Sequence, residues 1–268
     1  MDKLGIKQAI LSMPNPTSNA HEVNIDASKI VAKYPERFGF FATLPLGYAS
    51  MDAVLEELRF ALDELKANGI GIVSSYGQGS DAKYLGHDDY APLWQACHDR
   101  KVIVFLHGEQ TKSGNAPPGD VLPVPIVEVP NETYKAAADL VTSGKKRKYS
   151  GAKIILSHSG GSTPFLACRV AVLSNYVGNT KYGSSLSIDE ILEDFKSFYY
   201  ETALSGYDVN LTALQSFVGK ERILFGTDFP AVTVDMAKWF TGNVDEFFAN
   251  EQSYHTAIMT GNWEKLQG

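Results

Sequence analysis

The stretch "AKIILSHSGG", residues 152–161, decides the fold. Its apolar run is continuous rather than alternating, the pattern of a parallel strand covered on both faces. The run ends on His158, and the chain then loosens into Gly160 and Gly161. Such a glycine pair leaves backbone room at the strand mouth, read here as room for a ligand. Two further stretches repeat the design. "VIVFLHG" (102–108) ends its apolar run on His107, and "RILFGTDFP" (222–230) ends its run on Asp228. Strand ends of a parallel sheet converge on one face, so three polar groups far apart in sequence meet there. Two imidazoles and a carboxylate suit Zn2+ or a similar divalent ion. Such an ion polarises a carboxylate or carbonyl, or lowers the pKa of bound water. A lone histidine at a strand end is more often a hydrogen-bonded structural group; three polar residues at equivalent positions reverse that preference.

Outward from this stretch, short apolar runs alternate with longer amphipathic ones. Strands are expected at 6–13, 39–44, 69–75, 102–107, 152–158, 198–204 and 222–228. Helices are expected at 22–34, 50–69, 89–100, 131–148, 162–175, 187–196, 209–219 and 235–248, with a closing helix near "HTAIMTGNWEKL". In 50–69, Val54, Leu58, Ala61, Leu62 and Leu65 form one stripe before a terminal glycine. Repeated strand–helix units predict right-handed parallel crossovers and an α/β fold. Seven strands are counted where a closed (β/α) barrel has about eight. The competing open nucleotide-binding sheet lacks support, because neither G-x-G-x-x-G after the first strand nor G-x-x-x-x-G-K-[ST] is present. Residues 1–268 are read as one barrel-sized domain. The Pro-rich stretch 108–130 follows His107 directly and is read as a functional loop.

Composition narrows the function classes. The 24 basic and 31 acidic residues leave a net charge of −7, which argues against nucleic acid or an anionic membrane as the main partner. The basic run "GKKRKY" (144–149) reads as the solvated end of a helix. No apolar run approaches the ~20 residues that span a bilayer, and the N-terminus lacks a signal-peptide pattern. Two cysteines, Cys97 and Cys168, argue for a reducing compartment, hence a cytoplasmic protein.

The other histidines read as solvated or capping groups: His21 at a helix start, His87 in a turn with Asp88 and Asp89, His98 within a helix, and His255 near the end. Glu201, in "FYYETALS", is a charge within a barrel-like strand. It either faces the site or pairs with a neighbour, and the sequence leaves both open.

Together "VIVFLH", "KIILSHSGG" and "RILFGTDFP", in that order and spacing, resemble the amidohydrolase-related metal-dependent decarboxylases, whose type member acts on 2-amino-3-carboxymuconate semialdehyde. The resemblance covers nearly the whole chain. "YPERFGFFATLPL" (34–46), "SSYGQGSDAKYLGHDDYAPLWQACHDRKVIVFLHG" (74–108) and "FYYETALSG" (198–206) look most like the 6-methylsalicylate decarboxylase branch. "GNWEKL" (261–266) is similar to the family's closing helix. The resemblance implies a TIM-type barrel, one divalent metal (usually zinc), a homodimer, and non-oxidative loss of CO2 from an aromatic acid. By motif match His107 and Asp228 are metal ligands, and His158 is catalytic together with Asp228, acting either on the metal-bound water or as the proton-transfer residue. It also implies a missing element. The opening segment "MDKLGIKQAILSMPNP" looks like the family's second strand, and no H-x-H pair is present to supply the ligands of a first. A barrel without its first strand is therefore expected, with two unpaired edges and an exposed seam. Two other readings stay open: a metal-dependent hydrolase of a lactone or amide, and a truncated, catalytically silent barrel.

Overall fold

The computed structural model describes residues 1–77, 81–109, 122, 124–176 and 184–268. Seven strands form one sheet: β1 (Ala9–Ser12), β2 (Phe38–Ala42), β3 (Gly69–Val73), β6 (Ile103–His107), β7 (Lys153–Leu156), β8 (Tyr199–Glu201) and β9 (Ile223–Leu224). Their spatial order follows the chain, β1-β2-β3-β6-β7-β8-β9, and every neighbouring pair is parallel. A two-stranded antiparallel ribbon, β4 (Ser75–Tyr76) with β5 (Lys83–Tyr84), projects after β3. β1 and β9 are the two sheet edges, as expected for an eight-stranded barrel with one strand lacking. Part of the β9 edge is occupied: the Phe225 N–H donates to the Ile258 carbonyl.

The crossovers are helical. They are α1 (Ala20–Lys33), α2 (Met51–Asp63), α3 (Ala91–Asp99), α4 (Val124–Thr142), α5 (Lys145–Lys148), α6 (Thr163–Tyr176), α7 (Ile188–Lys196), α8 (Asp208–Phe217) and α9 (Val234–Phe247). Short α10 (Gln252–Thr256) and α11 (Asn262–Gln267) close the chain. Local chemistry sets their ends. Ser187 and Glu190 form a reciprocal capping box on α7, and such a cap is worth about 1 kcal/mol. The helix expected at 131–148 begins earlier, at Val124, and breaks at Gly144, whose φ is 74°. Pro125 lies in its first turn, where no N–H is needed, and Pro130 is carried inside it. The stretch 108–130 is therefore partly helix, while 110–121 and 123 lie outside the described residues.

The alternation of side chains sorts the core into two layers. Phe40, Val104, Leu106, Ile154, Leu156, Tyr200 and Ile223 join the large cluster between sheet and helices. Phe41, Ile103, Ile155 and Leu224 cluster on the other, inner face, with Ile10, Phe105 and Tyr199 against them. Trp263 and Leu266 of α11 close this inner layer from below, Trp263 standing edge-on to Phe41 at 5.9 Å. Residues 103, 105 and 107 share one face of β6, and 199 and 201 share one face of β8. The inner ladder that begins with apolar packing thus ends at the carboxyl side on His107 and Glu201.

The basic run at 144–149 is not a solvated end. Lys146 is only 5% exposed, its ammonium 5.0 Å from the centre of the Phe198 ring. Arg147 donates to the Asp194 carboxylate at 3.2 Å and to the Glu190 carbonyl at 3.0 Å. The break at Gly144 turns the run back onto the α7–β8 side of the core, which the charge pattern alone did not reveal. Among the described residues no helix is long and apolar enough to cross a membrane.

Candidate active site

Three chain segments deliver the polar groups to one place. His107 is the last residue of β6, opposite Val73 in β3. His158 follows β7 in a tight turn, one residue after Ser157, whose N–H donates to the Leu106 carbonyl. Asp228 lies four residues beyond β9, with φ 58°, before the cis Phe229–Pro230 bond. One ligand-capable atom from each of His107, His158 and Asp228 lies within 4.8 Å of the others. The two imidazoles stand edge-on, ring centres 5.0 Å apart and planes at 77°. The three residues singled out by their strand-end positions are thus brought together.

The electrostatics fit a cation. Burial, with the neighbouring His158 acting in the same direction, pushes the His107 pKa down to about 4. Burial likewise lowers His158, against the pull of the Asp228 carboxylate. Asp228 is raised by burial and by Glu201, with His158 acting the other way. Neutral imidazoles with free lone pairs beside a carboxylate are what a divalent ion requires. His158 Nδ1 is buried and has no hydrogen-bond partner. An orphaned ring nitrogen in such a place is costly unless something outside the protein pairs with it.

The site is held from behind by close backbone packing of α4. A Cβ on Gly108 would stand 2.7 Å from the Thr133 N–H nitrogen and run into the Val129 carbonyl. A Cβ on Gly161 would run into the Pro130 carbonyl, and one on Gly160 would stand 2.7 Å from the Tyr200 ring. The room at Gly160 and Gly161 is therefore filled by the protein itself rather than left for a ligand. Glycine there lets helix and strand end approach. At the mouth end of β2, Asn24 accepts from the Thr43 N–H at 2.9 Å and donates to its carbonyl at 3.0 Å, a clamp the sequence did not signal.

Glu201 takes both roles that the sequence left open. Its carboxylate is buried next to the cluster and accepts from two main-chain N–H groups, those of His158 and Ala203, each at 2.6 Å. Burial raises its pKa to about 7 despite those two bonds. The remaining histidines stay outside the site. His21 meets the Glu57 carboxylate at 2.9 Å, His255 meets Asp245 at 2.7 Å, and His98 accepts from the Gly151 N–H at 2.9 Å. His87 caps the short turn Asp88–Tyr90 by accepting from the Asp89 N–H at 3.2 Å. A surface cavity of about 530 Å³ beside Tyr84, Gly86, Asp139 and Ser143 touches none of the three cluster residues.

Comparison with known proteins follows the same lines. A family profile described as amidohydrolase matches residues 17–266. A 6-methylsalicylic acid decarboxylase of Aspergillus aculeatus is 40% identical over 230 residues, covering 85% of this chain and 68% of that protein. A gamma-resorcylate decarboxylase of a Polaromonas species is 29% identical over 259 residues, covering 90% of this chain and 78% of that protein. Among solved structures, a dihydroxybenzoic acid decarboxylase from Polaromonas, with bound manganese and the inhibitor 2-nitroresorcinol, superposes with a TM-score of 0.83 at 26% identity. That superposition covers all of this chain and 83% of the other. The profile, the relatives and the shared barrel agree: this chain belongs to the amidohydrolase family.

Proposed function

We propose that the protein is a metal-dependent, non-oxidative decarboxylase of aromatic carboxylic acids, with 6-methylsalicylate or a close ortho-hydroxy acid as substrate. The observation that carries the reading is the cluster of His107, His158 and Asp228 at the carboxyl ends of three parallel strands. The decarboxylase relatives and the manganese-bound neighbour support it. His107 and Asp228 hold the metal. Zinc is the proposed ion, because imidazole nitrogen with a carboxylate suits it; manganese is the ion in the related structure. When bound, the ion supplies charge that orients the substrate carboxylate and its ortho hydroxyl.

The chain's own residues do the rest. His158 gives a proton to the ring carbon that bears the carboxylate. The C–C bond then breaks, its electron pair restores the aromatic ring, and CO2 leaves. The phenol keeps the transferred proton on carbon, so the reaction needs no redox partner. Histidine suits the step because an imidazole ordinarily titrates near neutrality; burial lowers His158, and the Asp228 carboxylate beside it opposes that by favouring the protonated form. The inner apolar layer below, with Phe105 6.3 Å from the His107 ring, gives an aromatic substrate an apolar floor.

We also propose a homodimer and a cytoplasmic location. Phe165, Val172, Leu173 and Tyr176 leave α6 with an exposed apolar face suited to a second copy. Cys97 and Cys168 are both unpaired, in keeping with a reducing compartment.

The test is a product assay on the 268-residue chain loaded with zinc or manganese. Incubation with 6-methylsalicylate should release CO2 and 3-methylphenol. Metal-loaded protein that releases no CO2 from any ortho-hydroxy aromatic acid, yet opens a lactone or cleaves an amide, would replace this reading with the hydrolase one.

A further inference from the structure

The chain leaves β7 through a turn that side chains resist. His158 and Ser159 have φ of 52° and 56°, followed by Gly160 at 69° and Gly161 at 58°. Four consecutive residues at positive φ are unusual, and two of them carry a Cβ. Such a conformation persists only where surrounding contacts over-determine it. Within the turn, Gly160 N–H donates to the Ser157 carbonyl and Gly161 N–H to the His158 carbonyl, both at 2.9 Å. Thr163 Oγ1 donates to the Gly160 carbonyl at 2.6 Å. These bonds close the turn but do not fix it against the neighbouring strand.

Glu201 does that. Its Oε1 accepts from the His158 N–H and its Oε2 from the Ala203 N–H, both at 2.6 Å. The carboxylate therefore ties the first left-handed residue to the residue just past the end of β8. Gly226, beyond β9, is bare where a Cβ would run into Oε2. The carboxylate is walled in by three successive strand ends and has no freedom to turn away. The His158 ring departs from the Cα that this main-chain bond holds, so the bond sets where the ring points.

We infer that Glu201 is a positioning residue for His158, fixing the strained main chain that aims the imidazole into the cluster. An amide cannot replace it. A glutamine has one acceptor oxygen for two N–H donors and must set its own NH2 against one of them. The kinetic side of this inference rests on the decarboxylase reading; the main-chain side does not.

The experiment compares wild type, Glu201→Gln and Leu214→Ala. Leu214 is fully buried in α8 and serves as a control for general destabilisation. Glu201→Gln should lower kcat by about a hundredfold, as for a misaimed catalytic group, with KM changed by less than about threefold. Leu214→Ala should leave kcat near wild type at a temperature where it is folded. Hydrogen exchange of the metal-free proteins gives a readout independent of turnover. The peptide 154–161 should exchange about tenfold faster in Glu201→Gln and not in Leu214→Ala. If Glu201→Gln does not fold, Gly226→Ala displaces the same carboxylate and should give the same split. Wild-type kcat together with wild-type exchange in the variant, or equal losses in Leu214→Ala, overturns the inference. If wild type releases no CO2 the decarboxylase reading fails, and the exchange comparison alone decides the role of Glu201.

Discussion

Replacing Lys146 with methionine should stabilise the protein at neutral pH, and the gain should fade as pH rises. Burial pushes the Lys146 pKa from the ordinary 10.5 down to about 8, with Asp194 opposing and Arg222 adding to the shift. At about 1.4 kcal/mol per pH unit, the buried ammonium costs about 3 kcal/mol at pH 7. Its contact with the Phe198 ring returns about 1 kcal/mol. Methionine keeps an unbranched apolar stem, so the net gain is about 2 kcal/mol, or about 4–8 °C in Tm. The folded pKa lies below the unfolded one. Between about pH 8 and 10.5 the unfolded chain therefore holds more protons, and wild-type stability rises with pH across that window. Below pH 8 the full cost is present. Melting curves of both proteins at pH 7, 8.5 and 10 should show an offset that is largest at pH 7 and shrinks by more than half at pH 10. A lower Tm for the variant at pH 7, or an offset independent of pH, would refute the reasoning.

Other outcomes follow from the site. His107→Ala and Asp228→Ala should each lose the metal on dialysis, whereas His158→Ala should retain it and lose turnover by about 10²–10⁴-fold; elemental analysis beside the CO2 assay separates them. Gly161→Ala should cost at least about 3 kcal/mol in urea unfolding, since its φ of 58° and ψ of −122° suit only glycine and its Cβ would strike the Pro130 carbonyl. Val172→Asp with Leu173→Asp should convert a dimer to a monomer by sedimentation, without change in the melting curve of the monomer.

Much of the site was legible because the signal was local. A continuous apolar run fixes a buried parallel strand, and the residue that ends it must emerge at the sheet's carboxyl edge. That logic carries His107, His158 and Asp228 to one face, and the seven-strand count anticipates the two sheet edges. The strand limits were less legible. The run at 222–228 pairs over only Ile223–Leu224, because the chain then turns toward Asp228 at positive φ. Helix α4 reaches back to Val124 through two prolines whose missing N–H groups argue for a loop.

What the sequence alone determined is the set of groups that meet, since topology carries each strand end to the same face whatever the side chains do. The tertiary structure decided how neighbours share space. It gave the room at Gly160 and Gly161 to Tyr200 and α4, folded Lys146 under Phe198, and set Glu201 against the His158 main chain. Each of these depends on contacts between segments tens of residues apart. Periodicity reports which face of its own element a side chain takes, and carries no record of what another element brings to that face.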